Sequence, residues 1–436
     1  MTSPSVSKTS PEALTLAEVT RIREDFPIFG RQVNGHPLVY LDTAATSQRP
    51  LAVLGAMRSF DLQHNGSVHR GAHTLAAEST ELFETVRAEV AAFLGADADE
   101  VVWTKNATEG LNLIASAFVN ASAGRGGPDA DIFALHPGDE ILITESEHHS
   151  NLVPWQEVSA HTGATLRWIP LGDDGELRLD LLDDLLTERT RVVAFAQVSN
   201  VLGGIVPVSR IVARAREVGA LTVLDVCQSA PHLPLDLHTL GVDFAALSGH
   251  KMLGPTGVGC AYGRRELWKA MPPFLTGGST ITTVTMDHTD FIDPPERFEA
   301  GTQMTEQVVG LGAAVRYLQQ VGMPRIAAWE QMLGTRLAEG VTTIPGVRLL
   351  GPSAGRPRTG LVSVDVEGVH AHDVGQLLDA QGIAVRVGHH CAQPVHHRYG
   401  VTASTRASTY LYNTPSEVDA FLDALSGVRH YFGVGA

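Results

Sequence analysis

Short apolar runs alternate with helical stretches between about residue 75 and residue 290, and this alternation is the strongest constraint on the fold. The runs have the length and composition of buried strands: EILITES (140–146), TLRWIPL (165–171), RVVAFAQV (191–198), LTVLDV (221–226) and DFAALS (243–248). Amphipathic stretches such as 179–187 and 209–219 lie between many of them. The pattern predicts an α/β fold with a mostly parallel sheet between two layers of helices. Because ligands bind outside the carboxyl ends of such strands, the polar residues that follow each run are the first candidates for a site.

Changes of texture along the chain predict its division into domains. The opening residues MTSPSVSKTSPE carry no apolar period, which predicts a disordered leader before a short helix at about 14–25. After about residue 300, a smaller α+β part is predicted, with helices near 306–321, 325–341 and 371–380, a strand at 383–387, and a last helix that begins at the capping box TPSE (414–417). We therefore expect a leader and N-terminal arm (1–30), a large domain (31–300) and a small C-terminal domain (301–436). The Gly-, Ala- and Asp-rich segment 121–136 is predicted to be an inserted loop.

Charge and cysteine content exclude several classes of function. The chain has 32 Lys and Arg against 48 Asp and Glu, a net charge of −16, which opposes binding to a nucleic-acid backbone. No run approaches the roughly 18 apolar residues of a spanning helix, and no signal peptide is visible, so we expect no membrane partner. The 3 cysteines form no CxxC motif, which excludes a disulfide framework and a four-thiolate zinc site. A reducing cytoplasm is the expected location.

Two charged residues lie in or just after predicted buried strands. Asp225 lies inside the near-continuous apolar run LTVLDV, and a buried carboxylate requires a cation or several hydrogen-bond donors. Its carboxylate could cap a helix, form a salt bridge, or pair with the protonated ring nitrogen of pyridoxal phosphate. Lys251 follows the run DFAALS in a tight SGHK turn (248–251), where desolvation favours a Schiff base, although an ordinary surface lysine is the alternative. The glycines after Lys251 do not match GxGxxG, so a dinucleotide fingerprint is not supported.

Two further segments could bind an anion or a planar ring. TKNATEG (104–110) contains Thr108 and precedes an apolar helical run, so it is a helix start that holds a phosphate or is simply capped. His148 and His149 follow a strand. One imidazole could stack on a ring, one could be structural, and a two-histidine metal site lacks an acidic ligand at helical spacing.

Cys391 differs from the other two cysteines. Cys227 and Cys260 lie in apolar strand-like segments, where a cysteine acts as a small hydrophobe. Cys391 lies on a polar loop beside histidines and five residues after Arg386, and nearby cations favour a nucleophilic thiolate. The competing interpretation is a zinc site drawn from the loop residues His389, His390, Cys391, His396 and His397.

These motifs together resemble a known family. The segments are SNVLGG (199–204), LDVCQS (224–229), SGHKMLGPTGVG (248–259), RFEAGT (297–302), RVGHHCAQP (386–394), RAS (406–408) and LYNT (411–414). From about residue 20 to its end, the chain resembles the Suf-type cysteine desulfurases, group II of the NifS-like, class V aminotransferase family. The resemblance implies the type I pyridoxal phosphate fold and a homodimer with active sites near the subunit interface.

The resemblance also implies a role for each matching residue. Lys251 would bind the cofactor and later move the substrate Cα proton, Asp225 would hold the ring nitrogen, Gln228 the ring hydroxyl, and His148 would stack over the ring. The remaining implied roles are phosphate binding by Thr108, Ser248, His250 and the partner's Thr302, substrate carboxylate binding by Asn200 and Arg406, and an approach to the nucleophile Cys391 lined by Arg386, His69 and Arg70.

The activity implied is a sulfurtransferase reaction. L-cysteine would yield L-alanine and a persulfide on Cys391, from which an acceptor protein would carry sulfur to iron–sulfur cluster assembly; L-selenocysteine would be a second substrate. The acceptor would be a SufE-like protein or a zinc-binding SufU-like protein, and His372 in GVHAHDVG (368–375) favours the zinc type, with a role-free helix-start histidine as the alternative. The alternatives for the whole chain are a selenocysteine lyase, another class V aminotransferase-type enzyme, and a metal-binding or scaffold protein.

Overall fold

The computed structural model describes residues 12–434. The first eleven residues of the predicted leader therefore lie outside the described residues. The helix predicted at about 14–25 is present as Leu16–Glu24, and Thr15 and Glu18 form its capping box.

A seven-stranded sheet forms the largest layer of the structure. In chain order its strands are β1 (Val101–Thr104), β2 (Glu140–Thr144), β3 (Thr165–Ile169), β4 (Thr190–Ala196), β5 (Leu221–Asp225), β6 (Phe244–Ser248) and β7 (Gly259–Gly263). Their order across the sheet is β1-β7-β6-β5-β4-β2-β3, and β7 is antiparallel to both of its neighbours. The pairs β2–β3, β2–β4, β4–β5 and β5–β6 are parallel. The predicted α/β fold with a mostly parallel sheet is confirmed.

Alternate residues of the central strands enter different hydrophobic clusters. In β4, Val193 and Phe195 belong to one cluster, whereas Val192 and Ala194 belong to the other. Both faces of the sheet are therefore buried at its centre, which explains why the central strands are near-continuous apolar runs.

Helices occur between the strands and dominate the last third of the chain. The α-helices after Leu16–Glu24 are Leu51–Gln63, Thr74–Leu94, Ala107–Ser122, Val153–Thr162, Leu182–Leu185, Val208–Glu217, Leu237–Leu240, Arg265–Ala270, Thr305–Val321, Met323–Thr342, Ala371–Asp379, Gln393–Tyr399, Pro415–Ser426 and Val428–Tyr431. The 3-10 helices are Pro27–Gly30, Ala98–Glu100, Pro128–Phe133, His149–Asn151, Leu179–Leu181, Gly249–Lys251 and Glu296–Phe298. Thr414 and Glu417 form the predicted capping box of Pro415–Ser426.

A second, antiparallel sheet lies in the C-terminal part. Its strands are β8 (Val347–Leu350), β9 (Leu361–Val366), β10 (Arg386–Gly388) and β11 (Ser404–Ser408), in the order β8-β9-β11-β10. Three two-stranded pairs complete the strands of the described chain: Gln32–Val33 with His36–Pro37, Ile281–Val284 with Thr289–Phe291, and Val39–Tyr40 with Ile383–Ala384. The domain boundary near residue 300 stays a prediction.

Three local predictions differ from the structure. The strand predicted at 383–387 is two strands, because Ile383–Ala384 pairs with Val39–Tyr40 whereas β10 pairs with β11. The helix predicted at 179–187 is a 3-10 turn and a single α-helical turn, because the backbone is already extended at Leu186, with φ −92° and ψ 100°. Part of the predicted loop 121–136 is ordered as Pro128–Phe133, where Phe133 packs on Phe118 with ring centroids 5.5 Å apart.

A buried ion pair ties the helix Thr74–Leu94 to the segment RFEAGT. Arg87 donates to both carboxylate oxygens of Glu299, over 2.6 and 2.9 Å, and Glu299 also accepts from the Trp103 amide at 2.8 Å.

Among the residues that the structure describes, no helix is both long enough and apolar enough to cross a membrane.

We expect the substitution Arg87→Met to lower the free energy of unfolding by about 3–5 kcal/mol, because it leaves the Glu299 carboxylate buried without its cation. The measurement is equilibrium denaturation with urea. Arg336→Met is the control, since its partner Asp419 and Arg336 itself are exposed, and it should change stability by less than about 1 kcal/mol. Equal effects of the two substitutions would contradict the prediction.

Candidate active site

A cavity of about 240 Å³ opens at the carboxyl ends of β4, β5 and β6. Ala196, Asp225 and Ser248, the last residues of these three strands, all line it. The structure brings many of the predicted site residues into its walls: Thr108, His148, Asn200, Asp225, Gln228, Ser248, His250, Lys251, Arg386 and Arg406.

The Asp225 carboxylate is buried in this cavity without a cation. It is only 6% exposed, and its Oδ1 accepts a hydrogen bond from the Cys227 amide at 2.8 Å. Within residues 12–434 it forms no ion pair, so a salt bridge does not explain its position. Lys251 lies half-buried on the 3-10 turn after β6, lines the same cavity and likewise has no ion-pair partner in the described chain.

The start of the helix Ala107–Ser122 forms another wall of the cavity. Asn106 caps it by accepting from the Glu109 amide at 3.0 Å, and Ser248 Oγ accepts from the Ala107 amide at 2.9 Å. The Thr108 and Ser150 hydroxyls are 2.7 Å apart. Hydroxyl groups gathered at the positive end of a helix are suited to a phosphate group.

Two histidines in the cavity are neutral at neutral pH. Burial, together with the charge of Lys251, lowers the pKa of His148 to about 4, and its Nδ1 accepts from the Ser150 amide at 3.0 Å. Burial also lowers the pKa of His250 to about 4, with further contributions from Lys251 and Arg49. A neutral imidazole can stack on a planar ring without adding charge to it.

Two arginines on neighbouring strands bring positive charge to the opposite wall. Arg386 on β10 is directly across from Arg406 on β11. Arg406 is fully buried and donates to the Asn200 carbonyl at 2.9 Å and to Asp42 Oδ1 at 3.4 Å. Burial lowers the pKa of Arg406 to about 10, and one carboxylate faces the two guanidinium groups. The wall is therefore suited to a carboxylate ligand.

Cys391 lies beside the cavity, on a turn that is fixed by hydrogen bonds. His390, which lines the cavity, and Cys391 both have left-handed backbones, with φ of 51° and 57°. The His390 carbonyl accepts from Asn200 Nδ2 at 2.6 Å, and the Cys391 carbonyl accepts from the His149 amide at 2.6 Å. His149 Nε2 in turn accepts from the Gln393 amide at 3.1 Å. Cys391 as a whole is only partly buried.

The other two cysteines are buried, and the pKa values of their thiols are raised. Burial, together with the nearby charge of Asp225, raises the pKa of Cys227 to about 12, and burial raises the pKa of Cys260 to about 12. The sequence-based distinction between Cys391 and the other cysteines is consistent with these environments.

Four predicted residues lie away from the cavity of this chain. His69 is exposed and its Nε2 is 3.0 Å from Glu84 Oε1, and Arg70 beside it is exposed too. Thr302 lines a separate cavity that also contains Trp103. His372 is exposed in the first turn of the helix Ala371–Asp379.

Sequence reasoning missed several residues around the site. Asp42 pairs with Arg406, Ser150 with Thr108, and Thr46 Oγ1 is 3.2 Å from His250 Nδ1. Glu147 is fully buried and accepts from Thr144 Oγ1, Asn151 Nδ2 and the Ala196 amide. The available signal was position, since Asp42 and Glu147 both stand just after apolar runs.

Comparisons with known proteins agree with this geometry. Residues 39–421 match the family model described as aminotransferase class-V. A protein of Mycobacterium leprae (strain TN) named "Probable cysteine desulfurase 2" is 54% identical over 97% of this chain and 99% of its own length. The Escherichia coli cysteine desulfurase CsdA (S-sulfonic acid) superposes with a TM-score of 0.85 at 37% identity, covering 95% of this chain and 98% of that one. A variant of C-DES with glycine covalently linked to its PLP cofactor superposes with a TM-score of 0.76 at 25% identity, covering 93% of this chain and 98% of that one.

Only Cys391 should react with N-ethylmaleimide in the folded protein at pH 7.5, because the other two thiols are buried and their pKa values are raised to about 12. Intact-mass spectrometry should show one adduct per chain, and a Cys391→Ser variant should show none. Denaturant should expose all three thiols. Modification of Cys227 or Cys260 in the folded protein would contradict the assignment.

Proposed function

The chain belongs to the aminotransferase class-V family, and from this we infer that it is a pyridoxal 5'-phosphate-dependent cysteine desulfurase. It converts L-cysteine to L-alanine and transfers the sulfur to an enzyme thiol, a sulfurtransferase activity that supplies iron–sulfur cluster assembly. The observation that carries this conclusion is one cavity with a buried carboxylate and a lysine, neither of which has an ion-pair partner within residues 12–434, and with the partly buried Cys391 at its side. An aminotransferase needs no such thiol, so Cys391 favours the desulfurase over that alternative, and a selenocysteine lyase remains the second candidate.

The residues of the cavity fit the cofactor. Asp225 is buried with one amide donor and no cation in the described chain, as expected for a carboxylate that pairs with a protonated ring nitrogen. Lys251 would hold the cofactor aldehyde and Gln228 the ring hydroxyl, while neutral His148 would stack over the ring. The proposed phosphate ligands are Thr108, Ser248, His250 and Thr302 of the partner subunit, and Asn200 completes the cofactor site.

The chain's own groups account for the rest of the reaction. When bound, pyridoxal phosphate supplies an electron sink for the negative charge that develops at the substrate Cα. The Lys251 amine moves the Cα proton, and Arg406 with Asn200 holds the substrate carboxylate. The Cys391 thiolate attacks the substrate sulfur, so that an S–S bond forms, the C–S bond breaks, and the carbon keeps the electron pair and takes up a proton to give L-alanine. Arg386, His69 and Arg70 would line the approach to Cys391.

We propose a homodimer, because the site is incomplete in a single chain. Thr302, His69 and Arg70 lie outside the cavity of their own chain. The helix Leu51–Gln63 exposes Leu51, Leu54 and Leu62, which supports contact with a second copy. A cytoplasmic location is also proposed, supported by three free cysteines.

We further propose that the sulfur acceptor is a zinc-binding SufU-like protein rather than a SufE-like one. His370 is used as a helix cap, since its Nδ1 accepts from the His372 amide at 3.2 Å. The exposed His372 imidazole has no hydrogen bond from its ring within residues 12–434 and is available as a transient zinc ligand.

Alanine release from L-cysteine with a thiol reductant tests the activity. We expect the Cys391→Ala rate to fall below about 1% of the wild-type rate, because the nucleophile is lost. Cys260→Ala, which removes a buried thiol away from the cavity, is the matched control and should keep the wild-type rate. If Cys391→Ala released alanine at the control rate, Cys391 would not be the nucleophile; no release by wild type would reject the desulfurase itself.

The ratio of acceptor-stimulated to unstimulated turnover tests the partner. With a zinc-binding SufU-like acceptor, we expect His372→Ala to lower this ratio by about tenfold, since a zinc ligand is removed. His136→Ala, another exposed histidine, should leave the ratio unchanged. An unchanged ratio in His372→Ala would exclude the role of this residue, and stimulation by a SufE-like protein alone would exclude the zinc type.

A further inference from the structure

Two buried histidines behind the Cys391 turn share one serine hydroxyl. Ser404 Oγ is 2.9 Å from His390 Nε2 and 2.9 Å from His396 Nε2. Ser404 and His396 are fully buried, and His390 is only 3% exposed. His390 lines the cavity, whereas Ser404 begins β11 and His396 lies on the helix Gln393–Tyr399 that follows the turn.

The contacts of these groups fix the direction of each hydrogen bond. Burial beside Arg406 lowers the pKa of His390 to about 2, and burial lowers the pKa of His396, so both rings are neutral. His396 Nδ1 is 3.0 Å from the Ala392 carbonyl, which can only accept, so Nδ1 carries the proton. His396 Nε2 is then an acceptor and takes the Ser404 proton. Because a hydroxyl has one proton, Ser404 Oγ must accept from His390 Nε2–H.

The second ring nitrogen of His390 has no partner to hold it. With its proton on Nε2, His390 keeps a lone pair on Nδ1, and this atom is buried with no hydrogen-bond partner in the described part of the chain. The contact with Ser404 Oγ therefore holds the His390 ring, supported by packing on the His396 ring, with centroids 5.6 Å apart.

The same three residues close a loop around the nucleophile. His396 returns to the backbone at Ala392, one residue after Cys391, and His390 precedes Cys391. Left-handed backbone at two successive non-glycine residues persists only where the surroundings hold it. The hydrogen bonds run in series from Ala392 through His396 and Ser404 to His390, and we call this series the Ser404–histidine relay. Its two ends lie on either side of Cys391 in the sequence.

We propose that Ser404 and His396 are positioning residues for Cys391, which fix the tautomer of His390 and hold the left-handed His390–Cys391 turn against the cavity. The catalytic part of this inference rests on the proposed function, whereas the tautomers and the order of the turn do not.

The tautomers can be measured in the wild-type holoenzyme by two-bond ¹H–¹⁵N spectroscopy with ¹⁵N-labelled histidine. We expect His396 to be protonated on Nδ1 and His390 on Nε2. Each signal is assigned by its loss in a variant in which that one histidine is replaced. The opposite tautomer at either residue, or a charged ring at pH 7.5, would overturn the relay.

Hydrogen–deuterium exchange tests whether the Ser404–histidine relay holds the His390–Cys391 turn, and steady-state kinetics tests whether this affects turnover. Ser404→Ala and His396→Ala should speed exchange in the peptide 388–400 and lower kcat by at least about tenfold, because the thiol is displaced from its attacking position, with KM for L-cysteine within twofold of wild type. Ser404→Thr, which keeps the hydroxyl, should restore both. His397→Ala, an exposed neighbour on the same helix, is the matched control and should change neither.

Unchanged exchange and kcat in Ser404→Ala, or equal effects of His396→Ala and His397→Ala, would reject the proposal. If wild type released no alanine, the proposed function would fail, and the tautomer and exchange measurements would still decide whether the relay holds the turn.

Discussion

A carboxylate at the end of a hydrophobic strand is unfavourable unless a positive charge or several donors face it, and Asp225 has one amide donor and no cation within residues 12–434. Its charge also acts on its neighbours. Together with burial it raises the pKa of Glu147 to about 8 and that of Cys227 to about 12. The cavity around Asp225 is thus organised for a positively charged ring, and the neutral His148 and His250 are compatible with one because they add no competing cation.

The cavity takes its walls from both sheets. Parallel strands bring Ala196, Asp225 and Ser248 to one edge of the large sheet, and the antiparallel sheet brings Arg386 and Arg406 to face them. Asn200 joins the two sides, because its carbonyl accepts from Arg406 while its amide donates to the His390 carbonyl. The strand-end residues Asp225 and Ser248, proposed for the cofactor, and Arg406, proposed for the substrate, therefore come from different sheets, and Asn200, which connects the two sides, also holds the turn that carries Cys391.

Local periodicity was enough to predict the central sheet, since β2, β4, β5 and β6 are apolar runs buried on both faces, whereas β3 is a partly exposed edge strand. The strand-end rule then located Asp225 and Lys251. The strands β1, β8, β9 and β11 were not predicted. β11 reads STRAS and has no apolar pattern, since polar residues can be buried there where tertiary hydrogen bonds satisfy them. The division of 383–387 depends on two strand partners distant in the chain. Partners such as Asp42 and Ser150 were missed for the same reason, and Thr302, His69 and Arg70 were inferred from resemblance alone.

The two cysteines nearest the site differ in their environments. Cys227 lines the cavity, but burial beside Asp225 keeps its thiol protonated, and sulfur placed there would be enclosed by the fold. Cys391 is only partly buried, on the turn whose His390 lines the cavity, so sulfur carried there would be closer to the surface than sulfur on Cys227. The turn has left-handed backbone at both His390 and Cys391, and such backbone keeps its position only where other groups fix it. Three sets of hydrogen bonds hold this turn: those from the His149 amide and from Asn200 Nδ2, and the proposed Ser404–histidine relay.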